Sequence, residues 1–495
     1  MTLLGNGDDR LTQVLQWLRR QSTACYIVGG TVREWLRGCA AKDLDIAVDG
    51  AALVLARRLA NETGGSYYVL DRETDAGRVV YQGDRELTVD LAGLRGPDII
   101  ADLRGRDFTI NAMALAVGPA LESAPVVLDP CDGQGDLSAG LLRATHEAAF
   151  REDPVRLLRA VRFAASLDLR VESNTLAWLS RDAALVVRPS AERVRQELAA
   201  LVGLAKPSTH LRTLDDLGLL APLLPELTSL KQVSGKPPGT GTGFDHSLVV
   251  LAELERLASL EPALLSDSEA ACLMPFASDL RAHLEVIVAE KRPRWLLVRF
   301  AAMLHDTGKV TAQFAAAEGT GAGRGHAERG ADIAARVMTR LRFATAEGRL
   351  VRTVVLGHMR PGLLNTDPPA PRRAAYRFFR DVGDCAPEVL LLSLADHRAS
   401  RGAALLPDHW KRHLALSADL MDHFFRRPEE LVRPPQLLTG EDVMAETGEP
   451  PGPSVGRWLE AVREAQAARE ISSRDEALCL VRRGGRSRAD DGPEV

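Results

Sequence analysis

Near its start the chain reads VGGTVREWLRGCAAKDLDIAV, Val28 to Val48, and sets two aspartates one residue apart inside a run that otherwise calls for burial. On a β-strand residues i and i+2 project from one face, so Asp43 and Asp45 converge while Leu44 and Ile46 face the other way. Two adjacent carboxylates repel. A divalent cation between them removes the repulsion, and hard oxygen ligands favour Mg²⁺, which binds one or two carboxylates together with substrate phosphates. Upstream, Gly29 and Gly30 end the apolar run CYIV, and TVREWLRG predicts a helix that starts at the glycines and carries Arg33. Backbone amides at such a start can cradle a phosphate. A solvated strand edge and a plain turn would explain each part separately. Strand, diglycine, helix with Arg33 and then DxD together describe a triphosphate site with a metal pair.

A chain of 495 residues is long for one core and is expected to form about three domains. Six cysteines, none in CxxC spacing, point to a reducing compartment and away from structural zinc or a disulfide framework. MTLLGNGDDR shows no basic segment followed by an apolar one, and no run is long enough to span a membrane, so the expected location is the cytoplasm, without a membrane partner. A net charge of −5 does not announce a nucleic-acid binder. The basic residues are mostly Arg, however, which suits bidentate phosphate and base-edge contacts.

Residues 1–145 alternate short β-like runs (YIVG, DLDIAV, SYYVL, RVVYQG, ELTVDL, VVLDP) with helical ones and predict a mixed head. Residues 146–230 read as a helical neck and body, through DPVRLLRAVRFAASL and PSAERVRQELAALVG. KQVSGKPPGTGTG, residues 231–243, reads as a linker, and 244–410 as a second helical domain. The remainder, 411–495, holds the turn cluster TGEPPGPSVG, a long helical run and a polar end, GGRSRADDGPEV, expected to be disordered. The sequence contains no internal repeat.

Two further motifs carry charge into apolar surroundings. LRGRDFTINAMALAV holds Arg106, Asp107 and Asn111; FREDPVRLLRAVRFAA holds Asp153, three residues before Arg156, with Pro154 suited to the first helical turn. Arg156, Arg159 and Arg162 continue as an i, i+3, i+6 row. A carboxylate accepts from an exocyclic amine while a guanidinium donates to ring nitrogen and carbonyl, so Asp153 and Arg156 on one helical face can read the Watson–Crick edge of A or C. An intrahelical ion pair worth about 0.3–0.5 kcal/mol explains the same two residues equally well.

Taken in order, VGGTVRE, KDLDIAV, RDFTINAMA, DPCDGQGDLSAGLLR, FREDPVRLLRAVRFAA and RPSAERVRQEL resemble the class II nucleotidyltransferases, the bacterial tRNA CCA-adding enzymes and poly(A) polymerases, over about residues 20–230. The resemblance implies an α+β chain: a DNA polymerase beta-like nucleotidyltransferase head, then an all-helical neck and body and a helical HD domain. By it, Asp43 and Asp45 would hold Mg²⁺, activate the RNA 3′-hydroxyl and bind the triphosphate. Gly29, Gly30 and Arg33 would hold phosphates, Arg106 and Asp107 would contact phosphate and ribose, and Asp153 with Arg156 would select the base. Asn111, Arg159 and Arg162 join them as candidate nucleotide-binding residues. The reaction would be in-line attack on the α-phosphate with pyrophosphate leaving, and the partners the tRNA 3′ end, CTP and ATP. Two positions depart from the family pattern: Glu34 stands where Asp is usual, and Gly105 where an Arg is usual. Asp90, in ELTVDL, is a candidate third carboxylate.

FDHSLVV, MLHDTGKV, GRGHAERG, LGHMRP and SLADHRAS space His246, His305, Asp306, His326, His358 and Asp396 through helical sequence in a pattern that resembles the HD phosphohydrolases. Imidazoles with carboxylates suit a transition metal such as Mn²⁺, Ni²⁺ or Fe that activates a water. The resemblance implies one site of His246, His305, Asp306 and Asp396, with His326 and His358 completing a second, and hydrolysis of phosphate esters such as 2′,3′-cyclic phosphates or 2′-nucleotides at RNA ends. A domain kept for RNA docking, its metal site idle, is the alternative. In the tail, Thr439 reads as an N-cap, and amides at Gly440 and the GPSVG turn could meet RNA phosphates; an ordinary helix start explains Thr439 as well.

Three functions are therefore open: complete CCA addition; a CC-only or A-only adder or a poly(A) polymerase; and an HD phosphohydrolase whose head only binds RNA. The short connection Leu91 to Gly105 resembles the CC-adding branch, which lacks a flexible loop there.

Overall fold

The computed structural model describes residues 9–39, 43–83, 86–118, 121, 125–234, 241–310, 325–364 and 369–490. It forms two compact units, residues 1–201 with 216–222 and residues 202–215 with 223–495.

In the first unit the β-like runs form a seven-stranded sheet of β1 (Cys25–Val28), β2 (Asp43–Val48), β3 (Ser66–Asp71), β4 (Ala76–Tyr81), β5 (Leu87–Gly93), β6 (Ala114–Ala116) and β7 (Val127–Leu128), in the order β3-β4-β5-β2-β1-β6-β7. Only β2 and β5 pair in parallel; the other neighbours are antiparallel. Leu44, Ile46 and Val48 enter a core with Val14 and Leu18 of the helix Asp9–Arg19 and Leu55 and Leu59 of the helix Ala52–Thr63. On the opposite face Ala47 packs with Val28, Leu103, Ala112 and Ala114. Each fully buried Leu or Ile contributes about 1.5–3 kcal/mol, and a one-residue slip of β2 would turn Asp43 and Asp45 into this apolar core. The register is thereby fixed.

The helix expected through DPVRLLRAVRFAA does not include Asp153. Two helices form, Ala149–Glu152 and Arg156–Leu167, and Asp153 between them is extended, with φ −140° and ψ 94°. The physical reason lies in the next residue, because Pro154 drives its predecessor out of the α region.

The second unit is helical. The helix Arg294–Leu304 is buried all round and lies at its centre, beside Gly243–Ala258 and Thr345–Gly357. Buried acids cross-link it: Glu347 accepts from Arg292 at 2.6 and 2.9 Å, and Glu388 accepts from Arg294 and from His283. In the expected linker, Ser234 and Thr242 form an antiparallel bridge and Thr242 caps the helix Gly243–Ala258, while residues 235–240 lie outside the described residues. The tail helices Gly440–Thr447, Pro453–Ala467 and Arg474–Asp490 share a core of Val443, Val462, Ala477 and Val481. Thr439 is an N-cap, its hydroxyl accepting from the Asp442 amide at 3.2 Å. The last helix is described through Asp490, into the polar stretch that begins at Gly484. Residues 491–495 lie outside the described residues. Among the described residues no helix is long and apolar enough to cross a membrane.

Candidate functional site

The parallel pairing of β2 and β5 sets Asp45 directly opposite Asp90 and Asp43 opposite Thr88, so three carboxylates meet on one face. Asp90 is neutralised by Arg78, whose Nε and Nη2 donate to it at 2.8 and 2.7 Å. Asp45 is pushed up to about 6, first by burial and then by the charges of Asp90 and Asp43, against the opposing pull of Arg106 and Arg33. Such a donor set fits a divalent cation, whose charge would relieve that repulsion. Thr31 ties the strand to the preceding helix, donating to the Asp43 carbonyl at 3.0 Å and accepting from the Asp45 amide at 3.1 Å.

Gly29 has φ 65° and ψ −130°, a conformation that favours glycine. A Cβ there would stand 3.2 Å from Arg106 Nη1 and 3.6 Å from Asp45 Oδ2; at Gly30 it would meet Arg33 Nη2 at 3.5 Å and Asp45 Oδ2 at 3.8 Å. The diglycine thus lies where Asp45, Arg106 and Arg33 come together, open to an anion that bridges them.

From this point a chain of polar contacts leads away. Arg33 donates to Asn111, Asn111 donates to Asp107 at 3.0 Å, and Arg159 donates twice to Asp107 at 2.9 and 2.7 Å. Arg159 and Arg162 share Glu197, at 3.2 and 2.6 Å. Burial alone would raise the Asp107 carboxyl, but Arg159 and Asn111 hold it below the usual range. Glu34, the departure from the family pattern, accepts from Arg33 at 2.9 Å and from Arg37 at 2.9 Å.

Arg106, Asp107, Asp153, Arg156 and Arg159, with Arg95 and Arg193, line a cavity of 240 Å³. Five guanidiniums around two carboxylates suit an anion that also carries amine donors. Asp153 is held by Arg193 at 3.0 and 2.7 Å, whereas Arg156 donates to the backbone carbonyls of Gly105 at 2.9 Å and of Arg106 and Ala149 at 3.4 Å. The sequence reading passed over Arg95, Arg193 and Asp102. Asp102 is buried and accepts from the Arg95 amide at 3.1 Å and from Arg106 at 3.0 and 2.9 Å. Its only signal in the sequence is a carboxylate inside the apolar run IIADL.

In the second unit all six candidate ligands gather. His246, His305 and Asp306; His305, His358 and Asp396; and Asp306, His326 and His358 each bring ligand atoms within 4.8 Å of one another. His358 is thus common to two of these groups rather than confined to a separate site. Nδ1 of His305 donates to Ala302 O at 2.8 Å and Nδ1 of His358 to Val355 O at 2.6 Å, which turns each Nε2 inward as an acceptor. His305 Nε2 is buried with no well-formed hydrogen bond, 3.4 Å from Asp306 Oδ2. An orphaned imidazole nitrogen facing buried carboxylates fits a metal ion. Burial and the neighbouring His305 push His358 down to about 4, which keeps it in the neutral, ligating form. A cavity of 990 Å³ opens beside His326, with Met359, Leu363 and Phe378 as its apolar part and Arg360, Arg373 and Arg377 among its other walls.

Comparison with known proteins gives three family matches: the poly A polymerase head domain over residues 25–143, a probable RNA- and SrmB-binding site of polymerase A over 168–231, and an HD domain over 243–400. An A-adding tRNA nucleotidyltransferase of Deinococcus radiodurans is 34% identical over 465 residues, 92% of this chain and 94% of the relative. A CC-adding tRNA nucleotidyltransferase of Thermus thermophilus is 33% identical over 476 residues, covering 94% and 95% of the two chains. Among solved structures, a CCA-adding enzyme in complex with CTP has a TM-score of 0.61 at 21% identity over 97% of both chains. The Thermotoga maritima CCA-adding enzyme complexed with tRNA has a TM-score of 0.58 at 20% identity, again over 97% of both chains. The expected fold, a mixed-sheet head followed by helices and an HD domain, is the one observed.

Proposed function

Because this chain belongs to the tRNA nucleotidyltransferase family, we propose that it adds C and A nucleotides to the tRNA 3′ end from CTP and ATP, without a nucleic-acid template and with Mg²⁺, releasing pyrophosphate. The observation that carries this reading is the β2–β5 register, which sets Asp45 against Asp90, two residues from Asp43 and beside the diglycine with Arg33 and Arg106.

Asp43 and Asp45 would hold the metal, which supplies charge neutralisation on the triphosphate and acidification of the attacking 3′-hydroxyl. Arg33, Gly29 and Gly30 would bind the phosphates, and Arg106 and Asp107 the phosphate and ribose. Asp153, freed from Arg193, would accept from the exocyclic amine of C or A. Arg156, by gripping the Gly105 and Arg106 carbonyls, would keep Arg106 aligned. The boundaries 1–145, 146–230, 244–410 and 411–495 are our division of head, body, HD domain and tail, and the six free cysteines support a cytoplasmic location.

A second reading, addition of only CC or only A, is favoured by the short Leu91–Gly105 connection and by the names of the two relatives. Labelled CTP and ATP offered to tRNA transcripts ending at the discriminator base, at C and at CC separate the cases. CTP added to the first and ATP to the third, stopping at CCA, supports the proposal; arrest at CC, or ATP addition confined to the CC-ended RNA, replaces it with a partial adder.

For the second unit we propose metal-dependent hydrolysis of phosphate esters at RNA ends, with Mn²⁺ or Ni²⁺, on the strength of the six-residue cluster and the cavity beside it. Release of phosphate from 2′-nucleotides, or opening of 2′,3′-cyclic phosphates, lost in His305→Ala, tests it.

A further inference from the structure

Phe163 touches the nucleotide site without reaching the cavity. Its ring is buried, 7% exposed, on the helix Arg156–Leu167, and the guanidinium carbons of Arg33, Arg159 and Arg162 stand 5.2, 5.1 and 4.2 Å from its centroid. All three lie within the distance at which the ring quadrupole attracts a cation. Phe108, fully buried and next in sequence to Asp107, meets the ring edge-on at 5.8 Å and 80°, which fixes its orientation.

The three arginines serve different ends of the site. Arg33 stands over Gly30, next to Asp45, and Arg159 lines the cavity that Asp153 shares. Their hydrogen bonds run in an open chain from Arg33 through Asn111, Asp107, Arg159 and Glu197 to Arg162, and all three guanidiniums of that chain face the one ring. Three like charges repel; Asp107 and Glu197 within the chain and Glu34 beside Arg33 offset part of that repulsion, and the ring adds its own attraction from the side all three guanidiniums share.

We propose that Phe163 is a positioning residue of the nucleotidyl-transfer site, its π-system holding Arg33 at the phosphate end in register with Arg159 at the base end, with Arg162 bracing Arg159 through their shared Glu197. This rests on the function proposed above for the head. Fluorination weakens a ring quadrupole while nearly preserving its volume, so it separates electrostatics from packing.

The test replaces Phe163 in the full chain with mono-, di- and trifluorophenylalanine and measures KM and kcat for CTP and ATP on tRNA ends, with the unfolding temperature alongside. KM is expected to climb stepwise with fluorine number to about tenfold, with kcat changing far less and the unfolding temperature within about 2 °C of wild type. Phe163→Tyr, which keeps a π-face, is expected to retain most of the affinity that Phe163→Leu loses. A KM that stays flat across the fluorinated series while wild type is active overturns the assignment alone. Wild type that incorporates nothing overturns the proposed function and this assignment with it.

Discussion

Replacing Asp45 with Asn should stabilise the metal-free protein while disabling it. Asp45 lies opposite Asp90 and two residues from Asp43, and its carboxyl is raised from 3.8 to about 6 by burial and these neighbours. At about 1.36 kcal/mol per pH unit, holding that group ionised at neutral pH costs the fold about 3 kcal/mol; water around the exposed Asp43 trims the expected gain to about 1–3 kcal/mol. An acid whose folded value is raised carries no penalty below 3.8, where it is protonated in both states, and the full penalty once the pH has passed about 6. With chelator at pH 7.5, Asp45→Asn is therefore expected to unfold about 2 to 10 °C above wild type, and the gap to close as the pH falls towards 4. Nucleotide incorporation with Mg²⁺ should drop about 10²-fold or more. An Asn variant less stable than wild type under chelator, or a gap indifferent to pH, would refute the reasoning, because either would mean that the three carboxylates do not strain one another.

Glu388→Ala should cost the second unit about 3 kcal/mol by leaving the buried Arg294 with only the exposed Asp384 as a charge partner, a loss read by thermal or urea unfolding. Burial alone would raise Glu388, but His283 and Arg294 hold it below the usual range, so its contribution is present above about 4.3 and fades in acid, where the two proteins should converge. Gly29→Ala should raise KM for nucleotides and destabilise the head by about 1–3 kcal/mol, because φ is 65° and the new Cβ would crowd Arg106 Nη1 at 3.2 Å; steady-state kinetics and unfolding check it. Mn²⁺ or Ni²⁺ at a hundred times its Kd for the histidine cluster should stabilise metal-free Asp43→Ala, whose head site is disabled, by about 2.7 kcal/mol and leave the double variant Asp43→Ala, His305→Ala unmoved, as read by unfolding temperature.

The head was legible wherever one short period decides geometry. Asp43 and Asp45 share a face because strand residues alternate, and the diglycine lies beside them because it joins β1 to the next helix. Asp90 remained a candidate until its partner strand was known, since the β2–β5 pairing joins segments far apart in sequence. Asp153 was misplaced on a helix although Pro154, the residue that ends it, was in plain view. Arg95, Asp102 and Arg193 follow no period at all; they are recognisable only as guanidiniums and a carboxylate converging in space. The six HD residues were found by their pattern, and what spacing alone left open was that His358 belongs with His305 and Asp396 as well as with His326.

The most direct test of the head as the seat of nucleotidyl transfer is labelled CTP and ATP incorporation onto the three tRNA ends by wild type, Asp43→Ala and His305→Ala side by side. The expected result is incorporation by wild type and His305→Ala and none by Asp43→Ala. Incorporation that survives in Asp43→Ala but vanishes in His305→Ala would contradict the assignment of the carboxylates on β2 and β5 as the catalytic centre.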